Sequence, residues 1–248
     1  MKKRLLYGAA CFAAGVISCL LFFLSVHVYG SPSCDFTQSK WVIFGDSTSD
    51  EATDWWGGVK DSLHFKGKNI KACAMSGHTV HDQVALLDFM LSDNPKCLDG
   101  VNYVTLMVGV NDYTRETVLG DVEDESSNAE SAGYCANLRY FITRIKQANP
   151  DAKLFVLSPY YCCWSHYGHG GNNEQGWNLQ DMNARIASVC ASHDVTYVDL
   201  YNASGINQKT IGQYTKDNIH LNSTGARHVA DLIGMAFVMS FAGDMATR

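Results

Sequence analysis

A serine hydroxyl becomes a strong nucleophile only when a neighbouring base takes its proton, and an imidazole serves as that base when a carboxylate orients it. The chain offers these parts in two short runs. Ser47 stands in Phe44-Gly45-Asp46-Ser47, and Asp217 and His220 stand in Asp217-Asn218-Ile219-His220. An Asp and a His three apart on one turn can face the same point. Acyl transfer through a serine also needs donors for the developing oxyanion. The backbone N–H groups of Ser47 and Gly77 and the side-chain amide of Asn111, in Gly109-Val110-Asn111-Asp112, are candidates. Each run alone has a plainer use. Ser47, Thr48 or Ser49 would cap a helix or help cradle a phosphate, 217–220 would be a polar loop before a helix, and Gly77 and Asn111 would be turn residues.

The elements between these runs decide whether they can meet. Trp41 to Phe44 reads as a short buried strand broken at Gly45, and Tyr103 to Val108 as the clearest strand, ending at Gly109. Ile70–Met75, Leu154–Leu157 and Val195–Val198 supply three more strands. Apolar residues at helical spacing fall between them: Ala52 to Leu63 with Asp50 and Glu51 in the first turn, Val80 to Leu91, Leu138 to Ala148, Leu179 to Val189, and Ala226 to Phe237 with Asn222 or Ser223 as cap. Five strands alternating with five helices predict an α/β fold, a parallel sheet covered on both faces. In such a sheet the chemistry gathers at the carboxyl ends of strands. Ser47, Gly77 and Asn111 follow three different strands there, and the 217–220 run lies in the loop after the last.

Gly45-Asp46-Ser47, Gly77 within Met75-Ser76-Gly77-His78-Thr79, Gly109-Val110-Asn111-Asp112 and Asp217-Asn218-Ile219-His220-Leu221 resemble, in order, the four blocks of the SGNH (GDSL-type) hydrolases. The resemblance runs from about Trp41 to Phe237. It implies a three-layer α/β/α, flavodoxin-like fold with a five-stranded parallel sheet and neither metal nor organic cofactor. It assigns Ser47 as nucleophile, His220 as base and Asp217 as its partner, with Ser47, Gly77 and Asn111 forming the oxyanion hole. Thr48 replaces the usual Leu or Ile after Gly-Asp-Ser, and His78 stands where relatives often carry Asp or Ala. The Gly-x-Ser-x-Gly elbow of the α/β-hydrolases is absent around every serine. The family's reactions point first to removal of O-acetyl or other short acyl groups from a carbohydrate. Lipase or lysophospholipase activity comes second and acyl transfer third. A catalytically silent glycan-binding module of the same fold is the alternative outside enzymes.

Two stretches break the alternation. Thr114 to Gly133 is acidic and Ser-rich and reads as a solvated loop. Tyr160 to Trp177 carries Tyr160, Tyr161, Trp164, Tyr167 and Trp177. With His78, the residues Tyr160, Tyr161, Trp164 and Trp177 are candidates for a substrate wall, since aromatic rings stack on sugars; packing the loop onto the domain is their other role. Cys162, Cys163, His166 and His169 are soft ligands within one short run, but structural zinc sites separate their ligand pairs by a longer segment, so a disulfide-tethered loop is the expectation.

Nearly half the residues are hydrophobic and 18% are charged, as an ordered domain requires. The net charge is −6, and without Lys2, Lys3 and Arg4 the remainder holds 16 basic against 25 acidic residues. Binding of nucleic acid or an anionic membrane through overall charge is disfavoured. The three N-terminal cations precede an uncharged apolar stretch from Leu5 to about Gly30, which reads as a signal peptide or a membrane anchor. Residues 1–33 are therefore assigned to export or anchoring and 34–248 to the hydrolase domain. The domain is expected outside the cytoplasm, secreted, periplasmic or tethered, with the membrane as partner only through that segment. Seven cysteines lie beyond the stretch, and some are expected to pair there.

Overall fold

The computed structural model describes residues 35–50 and 53–246. The assignment of residues 1–33 to export or anchoring lies outside them. Among the described residues no helix is long and apolar enough to cross a membrane. Residues 36–237 form one compact unit, and residues 238–246 of the last helix belong to a second.

Five strands form a single parallel sheet in the order β2-β1-β3-β4-β5: β1 Trp41–Gly45, β2 Ile70–Ala72, β3 Tyr103–Met107, β4 Lys153–Leu157 and β5 Thr196–Val198. The helices are α1 Trp55–Ser62, α2 Val80–Asp93, α3 Val110–Thr114, α4 Gly133–Ala148, α5 Leu179–Ser192, α6 Leu200–Ala203, α7 Ile211–Tyr214 and α8 Ser223–Ala246. This is the expected flavodoxin-like architecture.

Side chains alternate across a strand, so each strand feeds two cores. Val42 and Phe44, Val104 and Leu106, and Leu154 and Val156 enter one cluster with Val84 and Leu87 of α2, Phe141 and Ile142 of α4, and Met182 and Ile186 of α5. Trp41, Tyr103 and Phe155 point the other way and meet Phe36, Phe65 and Phe237, with Phe155 and Phe237 stacked at 4.6 Å. Trp55 of α1 joins them 6.0 Å from Trp41. Trp41 also donates its indole N–H to Thr105 Oγ1 at 3.1 Å, so the buried ring leaves no polar atom unpaired. The sheet is thus sandwiched between two helical layers, which fixes the directions in which its strand ends project.

The first helix differs from the expectation. It begins at Trp55, not within Asp50-Glu51, and no acidic residue lies in its first turn. Thr53 and Trp55 instead reach back to the backbone after β1: Thr53 Oγ1 donates to the Ser47 carbonyl at 2.6 Å, and Trp55 Nε1 to the Thr48 carbonyl at 3.1 Å. Three helices were not expected. α3, α6 and α7 have only four or five residues each, too few to leave a periodic stripe. Asn222, not Ser223, caps α8, accepting from the N–H groups of Thr224 and Gly225 at 3.0 Å each.

Candidate active site

The sheet order reverses direction at β1, which has β2 on one side and β3 on the other. A crevice opens at the carboxyl ends of neighbouring strands where the order reverses. Ser47 leaves the end of β1 there and Asn111 sits in α3 just beyond β3. Gly45 makes the approach possible, because a Cβ on it would lie 2.6 Å from Ser49 Cβ and 3.0 Å from the Met107 carbonyl oxygen.

Ser47 Oγ and His220 Nε2 lie 3.0 Å apart, and His220 Nδ1 lies 2.7 Å from Asp217 Oδ2. The other Asp217 oxygen accepts the backbone N–H of Ile219 at 3.0 Å and of His220 at 2.7 Å. Burial opposes the charge on Asp217, but the bonds from the His220 side chain, His220 N–H and Ile219 N–H outweigh it and hold the carboxyl below its ordinary value. A carboxylate so held accepts the Nδ1 proton and turns Nε2, as an acceptor, toward the hydroxyl. The 217–220 turn is itself pinned from β4's loop. Cys163 N–H donates to the Asn218 carbonyl at 2.9 Å and Tyr160 hydroxyl to the Ile219 carbonyl at 2.7 Å.

The three expected oxyanion donors also lie just beyond the carboxyl ends of β1, β2 and β3. Neither the Ser47 nor the Gly77 backbone N–H meets a hydrogen-bond acceptor among the described residues. Gly77 has φ +81°, a conformation that a Cβ would strain. The Asn111 amide donates to the His78 carbonyl at 3.0 Å, and the same side chain also acts on the buried Asp46 carboxyl.

Beneath the hydroxyl lie two buried carboxyls. Asp46 Oδ1 accepts from Thr48 N–H at 2.8 Å and Thr48 Oγ1 at 2.6 Å, and the Asn111 side chain also favours its charged form. Asp112 accepts from Val80 N–H at 3.1 Å, capping the start of α2. Burial pushes Asp46 up to about 6 despite those bonds. Burial, reinforced by the charge of Asp46, pushes Asp112 up to about 8. At neutral pH Asp112 is therefore mostly a neutral acid tying the second and third motifs together.

Gln83, fully buried, was not anticipated. Its amide donates to the Gly45 carbonyl at 2.7 Å and approaches His78 Nδ1 at 3.1 Å. With the amide nitrogen committed as donor, His78 Nδ1 is the acceptor in this contact. A polar residue three places after Val80, on the buried stripe of α2, was the available signal.

The expected substrate wall does not survive intact. Tyr160 is 1% exposed and Trp177 6%, and Trp177 spends its indole N–H on the Thr117 carbonyl. Both rings pack the loop onto the domain, so neither offers a face to a ligand. Trp164 is exposed, Tyr161 is half-buried with its hydroxyl 2.9 Å from His169 Nδ1, and His78 is half-buried. The disulfide tether is corrected too. Cys162 and Cys163 are free thiols, as are Cys73, Cys97, Cys135 and Cys190. Among the described residues no group of three His, Cys, Asp or Glu is placed to hold a metal ion.

The parallel α/β sheet and the hydrogen-bonded run from Ser47 through His220 to Asp217 are the parts that hydrolysis through a serine requires. A family model for the GDSL-like lipase/acylhydrolase family matches residues 43–228, and the chain belongs to that family. No curated protein matches the chain in sequence. Crystal structures share its fold. One, of a protein from Lactobacillus plantarum, is 20% identical with TM-score 0.67, covering 83% of this chain and 98% of that one. The lipase/acylhydrolase from Enterococcus faecalis is 18% identical with TM-score 0.57, covering 82% and 97%. A GDSL-like lipase from Bacteroides thetaiotaomicron is 15% identical with TM-score 0.59, covering 82% and 89%.

Proposed function

We propose that this chain is an exported esterase that removes short acyl groups, above all O-acetyl, from carbohydrate through an acyl-enzyme on Ser47. The observation that carries the reading is the hydrogen-bonded run from Ser47 Oγ through both nitrogens of His220 to Asp217. His220 takes the Ser47 proton as Oγ attacks the ester carbonyl. The tetrahedral oxyanion is received by the N–H groups of Ser47 and Gly77 and the Asn111 amide. His220 then gives its proton to the leaving alkoxide, and water, deprotonated by the same nitrogen, releases the acyl group.

The surroundings favour a polar carrier. A cavity of about 430 Å³ flanks the 217–220 turn, where Lys216, Asn222 and Arg227 share the wall with Leu221 and Ala226. Another of about 260 Å³, beside Gly77, includes Thr79, His81, Asp82, Arg115 and Glu116. Hydroxyl-rich sugar suits the polar wall beside Gly77 better than a long acyl chain does, and Trp164 supplies an exposed ring. The apolar stretch in residues 5–30 supports export.

Fluorophosphonate labelling, with turnover of p-nitrophenyl acetate, butyrate and octanoate and of an acetylated oligosaccharide, tests the reading. Ser47→Ala and His220→Ala are expected to abolish turnover with the fold intact. A folded, active Ser47→Ala variant would overturn the nucleophile, and preference for octanoate over acetate would overturn the short-acyl assignment.

A further inference from the structure

At the amino ends of the strands, opposite Ser47, a groove of about 310 Å³ is lined by Lys40, Lys68, Lys71 and Lys96, with Asp99 its only acidic lining residue. Among the described residues none of the four ammonium groups makes an ion pair or a side-chain hydrogen bond. Four cations gathered around one concavity repel one another, in a chain whose net charge is −6. Lys71 has an ordinary duty as well, since it lies on the edge strand β2, where a charge discourages pairing with another sheet. Lys40, Lys68 and Lys96 lie outside the strands, so edge protection does not account for the cluster.

The groove also lies where the chain enters the domain. Lys40 directly precedes β1, and the uncharged apolar stretch ends at about Gly30. The nine residues between them, ten Cα-to-Cα steps, reach at most about 36 Å. We propose that this face docks on an anionic phospholipid bilayer, the four lysines meeting headgroup phosphates while the N-terminal stretch supplies the apolar attachment. Overall charge disfavours such a contact; its local distribution permits it, because the potential of a bilayer decays within a Debye length and only the nearest charges count. The parallel sheet then sets orientation. Ser47 lies at the far end of β1, roughly 15 Å along the strand from Lys40, so a docked domain opens its site away from the bilayer, toward substrate in the surrounding space. The docking surface does not depend on which acyl ester Ser47 attacks.

The full chain is mixed with vesicles of phosphatidylcholine alone or with one third phosphatidylglycerol and floated. The floated fraction is treated with an amine-reactive reagent, and lysine modification is read by mass spectrometry. Lys68, Lys71 and Lys96 are expected to react roughly fivefold more slowly on the anionic vesicles, with Lys209, beyond the carboxyl ends of the strands, unchanged. About 0.5 M NaCl is expected to remove the difference. In the double variant Lys68→Glu/Lys96→Glu, protection of Lys71 is lost while p-nitrophenyl acetate turnover is unchanged. Equal reactivity on both vesicles, or failure to float with either, overturns the proposal. Equal protection by soluble pyrophosphate without vesicles also overturns it, in favour of a free-anion site.

Discussion

Ser47 Oγ and His220 Nε2 lie 3.0 Å apart across 173 residues of sequence. The contact joins the loop after β1 to the turn before α8, and its geometry depends on Asp217 at the other ring nitrogen. Replacing Asp217 by Asn keeps an oxygen for the backbone N–H groups of Ile219 and His220, so the turn persists. It removes the charge that fixes the proton on Nδ1. Asp217→Asn is expected to lower kcat on p-nitrophenyl acetate by on the order of 10²–10⁴, with circular dichroism unchanged. Because the folded carboxyl sits below its ordinary value, its stabilising charge is present above about pH 4 and is lost only as pH falls through that depressed value. The deficit should therefore be the same at pH 5 and pH 8. A deficit that vanishes at pH 5 would show that Asp217 is not the charge that matters.

Asn111 holds the His78 carbonyl and acts on the Asp46 carboxyl, and the proposed oxyanion role requires its amide to reach the substrate as well. An interaction made chiefly with the tetrahedral oxyanion appears in kcat rather than KM. Asn111→Ala should lower kcat by on the order of 10²–10³ and change KM little. Steady-state kinetics on a short p-nitrophenyl ester checks this, and a loss confined to KM would contradict the oxyanion role.

The strands and the main helices were legible because burial writes periodicity into sequence: Val42 and Phe44 alternate with Trp41 and Ile43, and α2 repeats Val80, Val84 and Leu87. The four motifs were legible because each combines unusual residues at a strand's end. Other features left no such trace. The late start of α1 depends on tertiary bonds from Thr53 and Trp55 to the Ser47–Thr48 backbone. Nothing local distinguishes a ring that lines a site from one that packs a loop, and so Tyr160 and Trp177 were placed on a wall although both are buried. The Asp46 and Asp112 pair is visible only once β1 and β3 lie side by side.

That pair makes stability depend on pH. Asp112 titrates at about 8 when folded and near 3.9 when unfolded. A carboxyl whose folded value is raised contributes stability that is complete below about pH 4 and is lost as pH rises through about 8. Asp112→Asn does not titrate and keeps an oxygen for Val80 N–H. Its Tm deficit relative to the natural chain should therefore shrink steadily between pH 5 and pH 8. Thermal melts across that range test this, and a constant difference would mean that Asp112 is ionised in the folded chain throughout.

Tyr160 acts on the site through His220's own turn. Its buried hydroxyl donates to the carbonyl of Ile219, the residue before His220, at 2.7 Å. Asn218, one place earlier, has φ +68°, so the turn is not held by backbone preference alone. Tyr160→Phe keeps the packed ring and deletes only this bond, at a cost of about 1 kcal/mol in stability. If the bond sets the position of the imidazole, kcat should fall about tenfold with KM unchanged, and fluorophosphonate should label Ser47 correspondingly more slowly, because small misplacements of a catalytic group are costly. If Tyr160 serves only to pack the loop, the variant melts a few degrees lower while kcat at 25 °C and the labelling rate stay at the natural values. Measuring all three on one preparation separates a residue that aims His220 from one that merely fills space.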